Sequence, residues 1–334
     1  MASYPALSRD TDPVVVGYLP AFKGLGETID HADTSAFTHF NIAFANPDSD
    51  GAYIASGSFT CMNGADGAAL SVGELRETVR RLQEGGAKVL VSLGGGVIPE
   101  CSGDWRSLLA PDRRSQAVDA LIGLADALGL DGIDVDIEGA LLTAIDTDGN
   151  YTPFVAALSA RLREKGKLLT CATASYEGGM IPVDSIPSFD LVNVMSYDAV
   201  GPTWGEPGVE HASQAMAARD LQLWLDRGVA PDRLVLGVPF YGYGFNGEAP
   251  NWSYRDIANT HDADGRQGDV VGSLCATCRH ITFNGPETIE RKARLAREIA
   301  GGVMVWELSQ DTDDHRLTRA LQRGLSMRTA RNRD

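Results

Sequence analysis

Eight short apolar runs separated by helical patterns constrain this 334-residue chain more than any other feature. The runs cover 14–22, 37–46, 87–96, 132–139, 167–175, 189–198, 233–245 and 301–311. Several are almost continuously apolar, the pattern of parallel strands buried on both faces. Between them lie amphipathic segments with their own start and stop signals. The stretch 71–86 opens with Ser71 and closes with Gly85 and Gly86, a cap and a terminator. Segments 112–129, 152–166, 213–228, 286–301 and 313–325 follow the same plan. Alternating strands and helices imply a parallel sheet with crossover helices. Eight such repeats predict a closed (β/α)8 TIM barrel, an α/β fold. A doubly wound open sheet is the alternative, but its GxGxxG after the first strand is missing.

The reading gives one domain over 1–334, with the barrel over about 14–325. Residues 246–281 are polar and Gly-rich and read as an elaborated surface loop between the seventh and eighth strands. No linker or second domain stands out, and a monomer is expected.

The net charge of −16 and pI near 4.8 argue against nucleic acid or an anionic membrane as partner. No apolar run reaches the roughly 18 residues that span a bilayer. The start, MASYPALSRD, lacks the charged-then-apolar pattern of a secretory leader. Of the five cysteines, Cys275 and Cys278 form one CxxC, a weak zinc signal without a second pair. A loop disulfide or plain thiols fits better, and no metal or cofactor is expected. Cys171, in an apolar run, reads as core.

The fourth run, DGIDVDIEG, is the chemically informative one. Asp134, Asp136 and Glu138 alternate with Ile133, Val135 and Ile137, so the three carboxyls share one face of a strand. In a barrel, inward residues at the carboxyl ends of strands build the active site. Glu138 falls at the mouth, with Asp136 and Asp134 progressively deeper. Neighbours on one face are about 6.7 Å apart along the backbone. At an effective dielectric near 20, two charges at that spacing repel by about 2.4 kcal/mol. All three therefore resist ionising together, and at least one pKa is raised. A carboxyl kept protonated near neutral pH is what general-acid cleavage of a glycosidic bond requires. A calcium loop is the competing reading, but Ile133, Val135 and Ile137 contradict its polar pattern. DTDGN at 146–150 reads as a turn. Purely structural pairing with Arg or Lys is the other alternative.

With these residues in place, the sequence resembles glycoside hydrolase family 18, the chitinase family. Asp131, Asp134, Asp136 and Glu138 match its DxxDxDxE signature. Ser92, Gly94 and Gly95 match the SxGG of the third strand, and Met195, Tyr197 and Asp198 the MxYD of the sixth. Tyr241 and Trp306 match positions on the seventh and eighth. The resemblance implies that Glu138 protonates the leaving oxygen and that the substrate's own N-acetyl oxygen attacks the anomeric carbon. No second carboxylate need act as nucleophile. It further implies that Asp136 holds the acetamido nitrogen and shares a proton with Asp134. Tyr197 would hold the acetamido oxygen, Asp198 would contact the sugar, and Ser92 would support Asp134. Trp306 would floor the pocket, with Tyr18, Phe44 and Met195 lining it and Gly95 and Tyr241 nearby. Trp204, Trp105 and Trp252 are candidates for flanking sugar sites, whereas Trp224 reads as core. The implied partner is chitin or a chito-oligosaccharide, which makes an extracellular location the expectation.

Two departures from the family pattern matter. The loop between strands seven and eight is too short for the large α+β insertion of some members, which predicts a shallower groove and internal cleavage. Tyr243 stands where many members have Arg, so one contact to Asp198 or sugar is altered. Endo-β-N-acetylglucosaminidases acting on N-glycans are one rival, but they often carry an amide at the position of Asp198. Non-catalytic lectin-like barrels are another, and they lose carboxylates that are present here.

Overall fold

The computed structural model describes residues 12–261 and 268–326. The N-terminal segment read for a leader lies outside the described residues, as does part of the 246–281 loop. Eight parallel strands close into a barrel. They are β1 (Val14–Pro20), β2 (His39–Ala45), β3 (Lys88–Gly95), β4 (Gly132–Ile137), β5 (Leu168–Thr173), β6 (Leu191–Val194), β7 (Leu234–Pro239) and β8 (Gly302–Trp306). Each pairs with its sequence neighbours, and β8 closes onto β1 through Val14 opposite Gly302. Seven follow the predicted runs, trimmed at their ends, and β7 takes only the first half of its run. The crossover helices include Val72–Glu84, Arg114–Leu128, Tyr151–Arg163, Gln214–Asp226, Pro286–Ile299 and Arg316–Ser326. Ser71 caps the first of these by accepting from the backbone N–H groups of Gly73 and Glu74, as its position before the apolar pattern implied.

Two hydrophobic clusters hold the barrel. The larger lies between strands and helices and takes in Ile133, Val135 and Ile137 from the outer face of β4. Trp224 and Cys171 belong to it, both fully buried as expected. The smaller fills the barrel interior, with Val16, Tyr18, Ala43, Val235 and Met304 among its members. The two-residue period of β4 thus sends aliphatic side chains outward and carboxyls inward. Burying apolar surface at roughly 25 cal/mol per Å² is what holds three acidic groups on an interior face.

One predicted element is corrected. The run 233–245 is not a single strand. It breaks after Pro239, and Tyr241–Phe245 starts a separate antiparallel sheet with Asn251–Ser253, His280–Thr282 and Val270–Gly272. The 246–281 region is therefore built rather than irregular, and also carries the helix Tyr254–Thr260. Apolar continuity cannot separate two consecutive strands whose partners differ. A second small sheet follows β2, in the order Ile54–Ala55, Ser58–Asn63, Ala69–Ser71. Two disulfides, Cys61–Cys101 and Cys275–Cys278, tie these excursions. Among the described residues, no helix is long and apolar enough to cross a membrane.

Candidate active site

Strand register assembles the floor of the site. Asp134 lies opposite Ser92 on β3 and Thr170 on β5. Both hydroxyls donate to its carboxylate, Ser92 Oγ at 2.7 Å and Thr170 Oγ1 at 2.5 Å. Tyr18 Oη, reaching from β1, donates at 2.6 Å. Burial raises the Asp134 pKa, and these donors work against the rise. Tyr18 is itself almost fully buried and touches Trp306 edge-on, with ring centroids 5.4 Å apart. The expectation that Tyr18 lines the substrate pocket is corrected: its hydroxyl is spent on Asp134, beneath the cleft. Ser92 is fully buried as well, so it acts on Asp134 rather than on a ligand.

Two residues up the strand, Asp136 is buried in a different setting. Its Oδ1 has no hydrogen-bond partner among the described residues. Its carboxyl is bonded to Glu138, and its pKa stands well above the ordinary value through burial, then the charges of Glu138 and Asp134. Glu138 follows the end of β4 and precedes the helix Gly139–Thr147. Its pKa is pushed up to about 7, first by burial and then by the charge of Asp198, while the Asp136 bond opposes the rise. The three carboxyls predicted to share a face do so: Glu138 with a raised pKa at the strand end, Asp136 buried and bonded to it, and Asp134 held by three hydroxyls.

The strand beside the ladder has to pass very close to it. Gly94 and Gly95 both have left-handed backbones, φ +88° and +94°. A Cβ on Gly94 would sit 2.5 Å from the Asp136 carbonyl oxygen, and one on Gly95 would sit 2.8 Å from the Phe44 ring. Only glycine satisfies both conditions. Gly95 thus contributes space for Phe44 rather than a ligand contact. Asn46 fastens the same turn, donating to the Gly94 carbonyl at 3.1 Å and accepting from Trp105 Nε1 at 3.0 Å. Trp105 is only 2% exposed. Its expected role as a flanking sugar platform is corrected, because the indole is a buried brace between the segment after β3 and Asn46 after β2.

A cleft of about 1090 Å³ opens above the ladder. Phe44, Asp136, Glu138, Met195, Tyr197, Asp198, Trp204, Tyr241, Trp252 and Trp306 all line it. Trp306 stacks on Phe44, centroids 5.6 Å apart and planes 21° from parallel, which presents a flat floor. Trp204 is 43% exposed, and its indole N–H holds the Asp198 carbonyl at 2.9 Å. Asp198 sits at φ +64°, an uncommon conformation for a non-glycine residue. Tyr241 Oη donates to Asp198 Oδ1 at 2.6 Å. Tyr243, in place of the Arg of many members, also bonds the Asp198 carboxylate. Among the described residues, Tyr197 Oη finds only the weak acceptor Met304 Sδ, 4.0 Å away. Burial keeps its pKa well above the ordinary value, so the phenol is a neutral donor.

Several cleft residues carried no signal in the sequence. Phe22 and Gln310 reach the cleft from short 3-10 turns after β1 and β8, Asn251 from the strand Asn251–Ser253 and Arg255 from the helix Tyr254–Thr260. Glu307 also borders it, but both its carboxylate oxygens accept from Ser309, at 2.8 and 2.6 Å. That bonding makes it a local cap rather than an acid. It follows Trp306 directly, so the eighth-strand motif marked its neighbourhood and nothing more.

The chemistry available is proton donation from Glu138 into a cleft floored by stacked aromatics, with a buried acceptor and a phenol alongside. Residues 14–311 match the family described as glycosyl hydrolases family 18. A class V chitinase of Arabidopsis thaliana is 28% identical, over 90% of this chain and 87% of its own. Class V chitinase CHIT5b of Medicago truncatula is 30% identical, over 75% of this chain and 67% of its own. The crystal structure of the GH18 chitinase ChiB from Flavobacterium johnsoniae superposes with a TM-score of 0.78 at 29% identity, covering 95% of both chains. The ladder on β4, the Tyr197–Asp198 pair and the Trp306 floor occur together in a chain that belongs to glycosyl hydrolases family 18, and it is a glycoside hydrolase.

Proposed function

We propose that the chain is a chitinase that hydrolyses β-1,4 bonds between N-acetylglucosamine units, with retention and at internal positions. The observation that carries this reading is the unpartnered Oδ1 of Asp136, buried beside a proton-bearing Glu138. A buried polar atom left unbonded costs about 1–3 kcal/mol, and the amide N–H of an N-acetyl group is the partner that its position suits.

The Glu138 carboxyl gives its proton to the glycosidic oxygen as the C1–O bond breaks, and the leaving sugar departs neutral. The acetamido carbonyl oxygen bonds C1 from the opposite face, forming an oxazolinium ion whose charge faces the newly ionised Glu138. Asp136 accepts from the acetamido N–H and Tyr197 donates to the acetamido oxygen, so the attacking group is held in line. Positioning of this kind replaces a bimolecular encounter. Water then adds to C1 on the face the leaving group vacated, passing a proton to Glu138 and reopening the ring. Two displacements at C1 give net retention. Internal cleavage is supported by the small size of the excursion after β7, which among the described residues holds four short strands and one short helix.

A time course of chitohexaose digestion tests the reading, with products separated by length and anomer. Early β-anomeric dimers, trimers and tetramers from the wild type, and none from Glu138→Gln, are expected. A stable α-anomer as first product would rule out retention, and release of intact glycans from a glycoprotein without chitohexaose cleavage would replace the substrate. A polymer substrate and two disulfides also suit an oxidising, extracellular location. Native thiol titration should then find one reactive group on unfolding, Cys171; five would refute it.

A further inference from the structure

Behind Asp198, on the side away from the cleft, lies a buried histidine that no part of the mechanism above uses. His211 is fully buried, yet neither ring nitrogen makes a hydrogen bond among the described residues. Its Nδ1 is 3.7 Å from Asp198 Oδ1, the same oxygen that Tyr241 bonds. The ring lies between that carboxylate and the backbone of Tyr241. Tyr241 and Tyr243 pack against it, with centroids 5.4 and 5.3 Å away. Its own backbone is fixed: the N–H donates to Thr282 Oγ1 at 3.2 Å and the carbonyl accepts from Ala199 N–H at 2.9 Å.

This arrangement is costly to maintain without a purpose. The ring nitrogens face the Asp198 carboxylate and the Tyr241 backbone at the edge of bonding reach, so a buried polar ring makes at best long, weak bonds where full ones are worth about 1 kcal/mol each. The backbone on both sides is pinned, so the ring cannot leave. The Asp198 carboxylate is an acceptor a few tenths of an ångström beyond bonding reach. Asp198 itself is held in a left-handed backbone conformation at the edge of the cleft, where only side-chain contacts fix its carboxylate.

We propose that His211 is a positioning residue for the reaction: its Nδ1–H closes on Asp198 Oδ1 from behind and holds that carboxylate facing the cleft. The inference rests on the proposed chitinase reading. Asp198 so held has two effects. It offers its free oxygen to the sugar, and its charge is one of the two causes that keep Glu138 protonated. His211 therefore reaches the acid through Asp198. Burial lowers the His211 pKa, so the ring is a neutral donor at neutral pH. The charged and titratable groups facing it are Asp198, Tyr241, Tyr243 and Lys292. Lys292 is itself buried and bonds the Ala212 carbonyl at 2.8 Å. It is faced in turn by Asp269, Glu210 and Asp220.

The experiment compares pH profiles of chitotetraose hydrolysis by wild type, His211→Leu and His211→Asn. Leu removes the donor and keeps the volume roughly. Asn restores a donor close to the position of Nδ1. In His211→Leu, kcat should fall about tenfold with KM changing less than about threefold. The alkaline limb should move to lower pH, because a carboxylate free to turn away raises Glu138 less. His211→Asn should recover most of the loss and return the limb to its wild-type place. A His211→Leu enzyme with wild-type kcat and an unmoved limb overturns the proposal, as does equal damage in both variants. If the Leu variant does not fold, nitrogen NMR of histidine-labelled wild type decides. A bonded Nδ1–H that is lost in Asp198→Ala, which removes the acceptor, supports the role, and a spectrum indifferent to that substitution ends it. Failure of the wild type to cleave chitotetraose would instead refute the underlying function.

Discussion

Asp134 and Asp136 are the same residue on the same face of one strand, and the fold treats them oppositely. Asp134 takes three hydroxyl donors, from Tyr18, Ser92 and Thr170. Among the described residues, Asp136 leaves one oxygen without a partner and leans on another acid. The first is a finished piece of structure. The second is held in a state that folding alone does not favour, since burial and two like charges all oppose its ionised form. The difference shows where this barrel stores its chemistry: in the carboxyl whose needs are unmet, beside an acid whose proton is retained by the same unfavourable setting.

The comparison breaks first at Asp136. Asp136→Asn keeps the shape and one bond to Glu138 but presents an N–H₂ or a neutral oxygen to the acetamido group. On the proposed mechanism, kcat should fall by on the order of 10²–10³, the range of one lost preorganised hydrogen bond to the reacting group. Thermal stability should hold or rise, because an unfavourably buried acid is gone. Steady-state kinetics and a melting curve on one preparation measure both. A large loss of stability with modest loss of kcat would make Asp136 a structural residue like its neighbour.

Tyr197→Phe comes next. Among the described residues the hydroxyl's one hydrogen-bond partner is the weak acceptor Met304 Sδ, so the fold barely uses it. Turnover should drop about tenfold or more while KM and melting temperature move little, the mark of a bond that strengthens in the transition state. An unchanged kcat removes Tyr197 from the reaction.

The pH behaviour of Glu138 sharpens the same contrast. Its carboxyl must be protonated to act, so turnover should decline as pH rises through about 7. For stability the sign is as follows. A carboxyl whose pKa is raised in the folded state is neutral in both states at pH 4 and contributes no difference. As pH rises above its ordinary value, the unfolded chain ionises first and is favoured, until the folded group also ionises near 7. Glu138→Gln abolishes that penalty. The variant should match the wild type at pH 4 and exceed it at pH 8, by an amount on the order of 1–3 kcal/mol. Parallel melting curves across pH would expose the error if the gap were constant.

Much of this molecule was readable before any coordinates. The eight strands were legible because a parallel strand covered on both faces has to be apolar throughout, and such runs are rare outside cores. The ladder on β4 was legible because period two is written directly in DGIDVDIEG. What sequence could not give was relations across the fold. Tyr18 and Phe44 look alike as aromatics on neighbouring strands, but only structure shows that one faces Asp134 and the other the cleft. Trp105 and Trp204 both follow strand ends; the first meets Asn46 and is sealed in, the second stays 43% exposed. The break after Pro239 was hidden because both strands it separates are buried and apolar. His211 belongs to no short motif, and its interest comes entirely from what surrounds it.

The smallest effect is expected at Ser92, and it tests the finished half of the comparison. Ser92→Ala removes one of three donors to Asp134 and leaves Tyr18 and Thr170 in place. The lost bond is to a charged or proton-sharing group, so stability should fall by about 1–2 kcal/mol. Redundancy limits the rest: the carboxylate keeps its position, and Asp136, which only senses its charge, keeps its setting. Turnover should stay within about threefold of wild type. A hundredfold loss of kcat at nearly unchanged stability would mean that Asp134 is no passive anchor, and that its three donors tune a proton it exchanges with Asp136 during the reaction. The two aspartates would then differ in degree rather than in kind.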